Sequence, residues 1–308
     1  MQLGYNEIMI VSKYFKDIND FINLEMGVKR FRGNMERFHF NPIPLNQYSR
    51  KLFPNIETFH IYNKEDEIFK DGKIFKYVIW YKVEYSRYLE EKEEMNEYKN
   101  IAYTEEDRNT YGNTIPIEVN SLEDFCFYRC NDIQSIEIPT SVIEIGNGCF
   151  YECSSLTTIN IPTSVIEIGN SCFEECSSLI SLTIEDVKYI SEERIFMNEP
   201  MLISIEIPKN LKIINGKNIE KKDINEFNIP STITKLGDSC FSECYSLTTI
   251  EILTSVIEIG KYCFVGCSLT TINIPSSITS FGYGCFYHCG CEKKLKKNKS
   301  IPEYCFKK

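Results

Sequence analysis

The first 125 residues contain no cysteine, and all fourteen cysteines of this 308-residue chain lie from Cys126 onward. An absence so one-sided divides the chain into two parts with different sequence rules. Excess basic charge is missing too: 34 Lys and Arg stand against 44 Asp and Glu, giving a net charge of -10 and a pI near 5.1. A nucleic-acid binder needs a clustered basic face to displace phosphate counterions, so nucleic acid is not expected as a partner. No stretch approaches the ~20 apolar residues of a membrane helix. The N-terminal MQLGYNEIMIVSKYFKDIND lacks the basic and long apolar regions of a secretory signal. The expected address is the cytoplasm, with plasma-membrane association without a signal peptide as the alternative. Without a signal, the even cysteine count does not argue for disulfides. No glycine-rich phosphate loop, metalloprotease helix motif or hydrolase elbow occurs. Catalytic residues, cofactors and a small-molecule substrate are therefore not expected.

What the cysteine-bearing part has is a repeat. Residues 138–160, IPTSVIEIGNGCFYECSSLTTIN, run directly into 161–183, IPTSVIEIGNSCFEECSSLISLT, a period of 23 residues. Further copies begin at Ile229, Ile252 and Ile274, and a looser one at Ile115. Two degenerate units fill residues 184–228. The first keeps the period but carries Ile195 and Phe196 where Cys-Phe stands elsewhere, and the second loses that pair. Eight contiguous units exceed the ~3 that a self-supporting stack requires.

Each unit reads physically as one rung of a solenoid. In Leu156-Thr-Thr-Ile-Asn-Ile-Pro162, Ile159 and Ile161 alternate with Thr158 and Asn160, the period-two pattern of a short strand with one buried face. Proline ends the strand. Val142-x-x-Ile145-Gly146 follows, then Cys149-Phe150-x-x-Cys153-x-x-Leu156, whose spacing of three and four predicts a helical or 3₁₀ turn packing back on the strand. One rung cannot bury its own apolar face, so neighbours must stack. The expected ladder is Cys126, Cys149, Phe150, Cys172, Phe173, Cys240, Phe241, Cys263, Phe264, Cys285 and Phe286.

This pattern, L-x-x-I-x-I-P-x-x-V-x-x-I-G-x-x-C-F-x-x-C, resembles the BspA-type leucine-rich repeat over about residues 115–289. That family more often has Ala where Cys149, Cys172, Cys240, Cys263 and Cys285 stand. The Ile-, Asn- and Lys-rich style is similar to the BspA-like proteins of amoebic protozoa. The resemblance implies a repeat solenoid of short parallel strands, with adhesion and protein binding as its functions.

Residues 1–113 are expected to be a separate capping or adaptor segment, small, mixed and mainly helical. Apolar residues from Ile8 to Phe15 and from Phe21 to Leu24 recur at helical spacing, with capping residues at Asp17 to Asp20. Residues 41–44, Asn-Pro-Ile-Pro, must be non-helical. Residues 56–62 and 75–81 read as strands, the first irregular rungs of the solenoid. Glu90 to Glu94 reads as a solvated run. A helical start before leucine-rich repeats also resembles, loosely, F-box-like ubiquitin-ligase adaptors, whose repeats select a substrate.

Chemistry in the repeats reduces to thiols and one imidazole. The C-x3-C pairs, from Cys126/Cys130 to Cys285/Cys289, would put two sulfurs on one face of a turn and suit zinc. A closed site wants four convergent ligands, however, and cysteine also serves as a small buried hydrophobe. Ladder packing is the first reading, metal and disulfides the alternatives. His288 stands where other copies have Arg129, Glu152, Glu175, Glu243 and Gly266, a variable position. What remains is the outward strand face, with Ser135 and Glu137, Thr158 and Asn160, Ser181 and Thr183, Ser204 and Glu206, Thr249 and Glu251, and Thr271 and Asn273. These form two polar columns, the candidate surface for an unidentified protein partner. The non-catalytic scaffold is the leading function, with a BspA-type adhesin and an F-box-like adaptor as alternatives. The repeats span residues 114–291. The Lys-rich segment 292–308 ends in Cys305-Phe-Lys-Lys308, which poorly matches a prenylation box. Ile301-Pro302 and Cys305-Phe306 repeat the rung pattern, so the tail is expected to fold back as a degenerate ninth rung.

Overall fold

A computed structural model describes residues 4–93, 95–184, 187–190, 194–197, 201–207, 211–215, 217–218, 229, 231–245 and 247–308. The chain forms two compact units, Met1–Ala102 and Tyr103–Lys308.

The first unit opens with helices Tyr5–Ser12 and Ile18–Gly27. Asp17 caps the second: its carboxylate accepts the Asn19 and Asp20 N–H groups, and Asp20 reaches back to the Asp17 N–H. Such a box satisfies donors that the first helical turn leaves open. Phe21 is fully buried and meets Phe15, Phe38 and Phe53 edge to face, with ring centroids 5.0, 5.8 and 5.3 Å away. The segment 41–44 is non-helical, and buried Asn41 makes its side chain part of the sheet. Its amide donates to the His60 carbonyl at 2.7 Å, while its Oδ1 accepts the His60 N–H at 2.6 Å. Strands Thr58–Ile61, Lys76–Ile79 and Glu97–Tyr98 pair in parallel, so rung-like architecture begins before the repeats. Helix Tyr85–Glu91 leads into the acidic run, where residues 90–93 are exposed and Glu94 lies outside the described residues.

The second unit is a stack of rungs joined by parallel pairing. Ser135–Glu137, Thr158–Ile161 and Ser181–Ile184 form one ladder, with Ile136, Ile159 and Leu182 facing inward and in register. Ser121–Leu122, Glu144–Ile145 and Glu167–Ile168 form a second. The pattern resumes in Lys235–Leu236, Glu258–Ile259 and Ser280–Phe281, and in Thr249–Glu251 beside Thr271–Asn273. Gly146, Gly169, Gly260 and Gly282 sit where a Cβ would strike the neighbouring rung's backbone at 2.2–2.5 Å. This close approach, rather than a special backbone angle, is why glycine follows Ile145 and its equivalents.

The Cys-Phe segment turns as the spacing predicts, through i to i+3 bonds such as Cys126 N–H to Glu123 O, Tyr128 to Phe125 and Cys130 to Phe127. A continuous helix is avoided because alternate residues send their N–H groups to the next rung instead. Phe125 donates to Asn147 O, Phe127 to Cys149 O and Arg129 to Tyr151 O, all at 2.8–2.9 Å. The alternation requires left-handed backbone at two positions per turn. Phe125, Ser171, Ser239 and Tyr262 form one such column, and Arg129, Glu152, Glu175, Glu243 and His288 the other, all with φ between 51° and 59°. The phenyl rings stack as the backbone does. Phe127, Phe150 and Phe173 lie 5.3 and 5.6 Å apart with planes within 16°, and Phe241, Phe264 and Phe286 repeat this at 5.1 and 5.6 Å. Such contacts contribute about 0.5–1.5 kcal/mol each beyond area burial.

The degenerate units depart from the 23-residue period. Strands Val187–Ile190, Arg194–Met197 and Met201–Glu206 form an antiparallel meander, and Met201 and Leu202 then join the second ladder opposite Lys235 and Leu236. Phe196 does enter the phenyl stack, 5.0 Å from Phe241, but from a hairpin strand rather than a turn. The first ladder is continued by Ile213–Ile214 opposite Ser181 and Leu182. Asn215, at φ 50°, closes that edge by pairing its side-chain amide with both the N–H and C=O of Ile184 at 2.9 Å. The unit covering residues 207–228 lies largely outside the described residues.

The tail takes the form of a ninth rung. Cys305 and Phe306 are buried, the Phe286 N–H donates to Cys305 O at 2.9 Å, and Phe306 packs 6.2 Å from Phe286. Lys296 covers Phe306 and pairs with Glu292 at 2.5 Å, a polar outer layer over the last ring.

The register makes a sharp prediction. Ile159 is buried and Thr158 exposed, so Ile159→Asp, which buries an unpaired carboxylate, should destabilise the solenoid by several kcal/mol. Thr158→Asp should stay within about 0.5 kcal/mol of the parent. Thermal melts followed by circular dichroism decide; equal losses would mean the register is wrong.

Candidate binding face

Ten of the twelve sequence-selected face residues lie on the outward side of the first ladder or of its continuation. Ser135, Thr158 and Ser181 are Cα partners in line, as are Glu137, Asn160 and Thr183. Thr249 faces Thr271, and Glu251 faces Asn273. All are exposed except Ser181, which is half-buried. Parallel pairing at a constant register therefore turns a sequence period into straight columns of hydroxyl, amide and carboxylate groups.

Ser204 and Glu206 do not belong to those columns. They lie on Met201–Glu206, whose start joins the second ladder, and Ser204 is buried. Its hydroxyl donates to Cys240 O at 2.6 Å and accepts the Arg194 Nε–H at 2.6 Å, while Arg194, also buried, donates through Nη1 to Ser242 O at 3.3 Å. In intact rungs these carbonyl positions receive a backbone N–H from the preceding turn. Here two side chains substitute for a missing turn. The signal was present in the sequence as the loss of the Cys-Phe-x-x-Cys cassette, but the period alone placed Ser204 on the wrong face.

The thiol ladder forms as expected: all fourteen cysteines are free and buried. In three cassettes the second cysteine has a further role that spacing did not show. Cys153, Cys176 and Cys267 donate their S–H to the carbonyls of Phe127, Phe150 and Phe241 at 2.9, 3.0 and 2.7 Å. The first cysteine Cys172 also donates, to Gly146 O and Gly169 O at 3.1 Å. A thiol thus fills space as an alanine would and also satisfies a buried acceptor. Burial pushes the thiols of Cys149, Cys240, Cys263 and Cys267 above their ordinary value, and that of Cys130 up to about 12. Thiolates are the nucleophiles and metal ligands, so at these positions the environment opposes both chemistries; at Cys176, Cys291 and Cys305 a hydrogen bond from the neighbouring thiol lowers the pKa instead. Among the described residues, no group of three or more His, Cys, Asp or Glu side chains is placed to hold a metal ion. His288 is exposed, and its backbone N–H donates to Glu292.

Polar side chains also bridge rungs at the turn. Asp124 accepts the Asn147 N–H at 2.7 Å, Asn147 accepts that of Asn170 at 3.0 Å, and Asp238 that of Lys261 at 2.7 Å. These satisfy N–H groups between the ladders, so Asp124, Asn147 and Asp238 are structural.

In the first unit, His60 stacks on Phe40 at 4.9 Å and lies 5.7 Å from Trp80, while Tyr62 stacks parallel to Trp80 and Lys99 covers it. The indole faces are thus occupied by neighbours. Burial lowers the His60 pKa, with Lys99 and Lys76 adding to the effect against Glu97.

The BspA-type leucine-rich repeat region, in six copies, matches residues 105–220 and 219–308. Among solved structures, the chain is similar to a leucine-rich repeat protein from Eubacterium ventriosum, at 21% identity over 71% of this chain and 59% of that one, TM-score 0.33. A leucine-rich repeat protein of T. pallidum shows 22% identity over 67% and 86%, TM-score 0.31. A leucine-rich cell surface protein from Faecalibacterium prausnitzii shows 21% over 76% and 62%, TM-score 0.36. The chain spans less than two thirds of the first and third of these. No curated protein matches. Among the described residues, no helix is long and apolar enough to cross a membrane.

Two outcomes follow from the titration environments. A thiol reagent at pH ~8 should find the buried cysteines unreactive in the native protein and all fourteen reactive after unfolding, and elemental analysis should return no stoichiometric zinc; rapid native labelling or bound zinc would contradict this. The folded chain holds the His60 proton less readily than the unfolded chain, so acidification through ~6.5 favours unfolding and the stability loss continues down to the folded pKa. Fluorescence of Trp80, the only tryptophan, should change with a midpoint below 6.5, and His60→Gln should remove the transition.

Proposed function

Because the chain belongs to the BspA-type leucine-rich repeat family, we propose that it is a non-catalytic scaffold whose outward strand face binds another protein. The carrying observation is the register, which lines up Thr158 with Ser135 and Ser181, and Asn160 with Glu137 and Thr183. Short side chains on a rigid sheet lose little conformational entropy on binding. The face offers both donors and acceptors, and Glu137 and Glu251 make it acidic. It therefore suits a polar, partly basic protein surface. Placement inside the cell is part of the same reading and is what a cytoplasmic partner would require.

The test pairs proximity labelling with face variants. Thr158→Lys and Asn160→Lys reverse the character of the centre of the first ladder without entering the core. Partners enriched by the parent should be lost by about tenfold or more if these positions lie at a well-packed centre, with melting temperature unchanged. Retention of every partner by both variants would defeat the strand-face assignment. Labelling of the chain on intact cells by an impermeant reagent would instead support the adhesin reading.

A further inference from the structure

Of the fourteen cysteines, all but Cys291 stand in a Cys-Phe-x-x-Cys cassette or in the Cys-Phe pair of the ninth rung. Cys291 comes two residues after the last cassette, where the preceding rung has Leu269, and like that leucine it is buried in the core of the second unit. Its neighbour departs from the ladder as well. Cys153, Cys176 and Cys267 give their S–H to a phenylalanine carbonyl of the preceding rung, but the sulfur of Cys289 lies 3.3 Å from the sulfur of Cys291. Gly290 between them permits this approach. Its N–H donates to Cys267 O at 2.9 Å, and a Cβ there would meet Leu269 O at 2.7 Å. The backbone is thus drawn against the preceding rung with the two sulfurs in contact.

We propose that Cys289 and Cys291 are a redox couple, a modification site at which a hydroperoxide oxidises the two thiols to a disulfide. Cys291 is the attacking sulfur. Its pKa is lowered, chiefly by the hydrogen bond from Cys289 and further by the charge of Lys294, whereas that of Cys289 is raised, chiefly by the same hydrogen bond and then by burial. The thiolate of the pair therefore resides on Cys291. It attacks one peroxide oxygen: an S–O bond forms, the O–O bond breaks, and the departing hydroxide takes up the proton lost from Cys291 as water. Cys289 then attacks the sulfenic acid on Cys291. The S–S bond forms, the S–O bond breaks, and the leaving hydroxide takes the Cys289 proton as a second water. Two electrons pass from the sulfur pair to the peroxide. The sulfurs close from 3.3 Å to about 2.05 Å within one turn of chain. Burial keeps out bulky thiol reagents but not a molecule little larger than water. A ring across one intervening residue removes little freedom from the unfolded chain, so the bond is a reversible mark rather than a staple. Cys291 O accepts the Lys294 and Leu295 N–H groups at 2.9 and 3.1 Å, which places the mark at the joint between the last cassette and the ninth rung.

The inference does not rest on the binding-scaffold reading, and the strand-face variants Thr158→Lys and Asn160→Lys leave it untouched. In the test, the reduced full chain, freed of reductant, is treated with hydrogen peroxide, then unfolded and alkylated, and its digest is read by mass spectrometry. The peptide carrying Cys289 and Cys291 should have lost two hydrogens and should take no alkyl group. Every other cysteine should be alkylated, and dithiothreitol should restore both sites. Cys291→Leu places the preceding rung's side chain at this position, so it should keep the fold and abolish the loss. Cys289→Ser leaves Cys291 without a partner thiol, so peroxide should add oxygen to Cys291 instead. Full alkylation of Cys289 and Cys291 after peroxide would overturn the proposal. So would loss of two hydrogens in Cys291→Leu, or an equal yield of disulfide between Cys285 and Cys305, the other hydrogen-bonded thiol pair at this end of the solenoid, which would make oxidation a general property of the stack.

Discussion

The parallel hydrogen bonding between successive rungs is the constraint on which everything else in the second unit depends. Three sets of backbone bonds join successive intact rungs, two through short strands and one through the turn. Once those bonds fix a residue opposite its counterpart 22 or 23 positions on, every side chain is fixed opposite its own kind. Phenyl rings must stack on phenyl rings, thiols must follow thiols, and the outward polar residues must form columns. Core, thiol ladder and binding face are three consequences of one register.

The thiol chemistry illustrates how the register decides between competing readings. A C-x3-C pair in isolation is a plausible half of a zinc site. In a stack, the second cysteine faces the preceding rung, and what it meets there is the carbonyl of a phenylalanine, for example Cys153 against Phe127 O. An unsatisfied buried carbonyl costs about 1–3 kcal/mol, and the thiol offsets part of that while filling the volume of a small hydrophobe. At Cys149, Cys240 and Cys263 the same burial raises the thiol pKa, so there the packing role and chemical quiescence have a common cause.

Much of this was legible in the sequence, because a period is a long-range signal written locally. The alternation at Thr158, Ile159, Asn160 and Ile161 gave both the strand and its faces. The cassette around Cys149 and Phe150 gave the ladder, and Ile301 to Phe306 gave the terminal rung. Legibility ended where the period did. Ser204 was assigned outward by counting from Thr158 and Ser181, but the chain between Ile184 and Lys235 folds partly as an antiparallel meander, and its strand enters the other ladder. No counting rule survives a change of direction. Likewise, the left-handed residues Glu152, Glu175 and Glu243 carry no composition signal, because neighbouring rungs rather than local preference hold them there.

Amide hydrogen exchange resolved by residue tests the register most directly. Strong protection is expected at Phe127, Phe150, Phe241, Phe264 and Phe286, whose N–H groups bond to the next rung, and fast exchange at Ser171 and Phe173, where the turn ladder is interrupted. Uniform protection along all these turns, or fast exchange at Phe150 and Phe241, would contradict it.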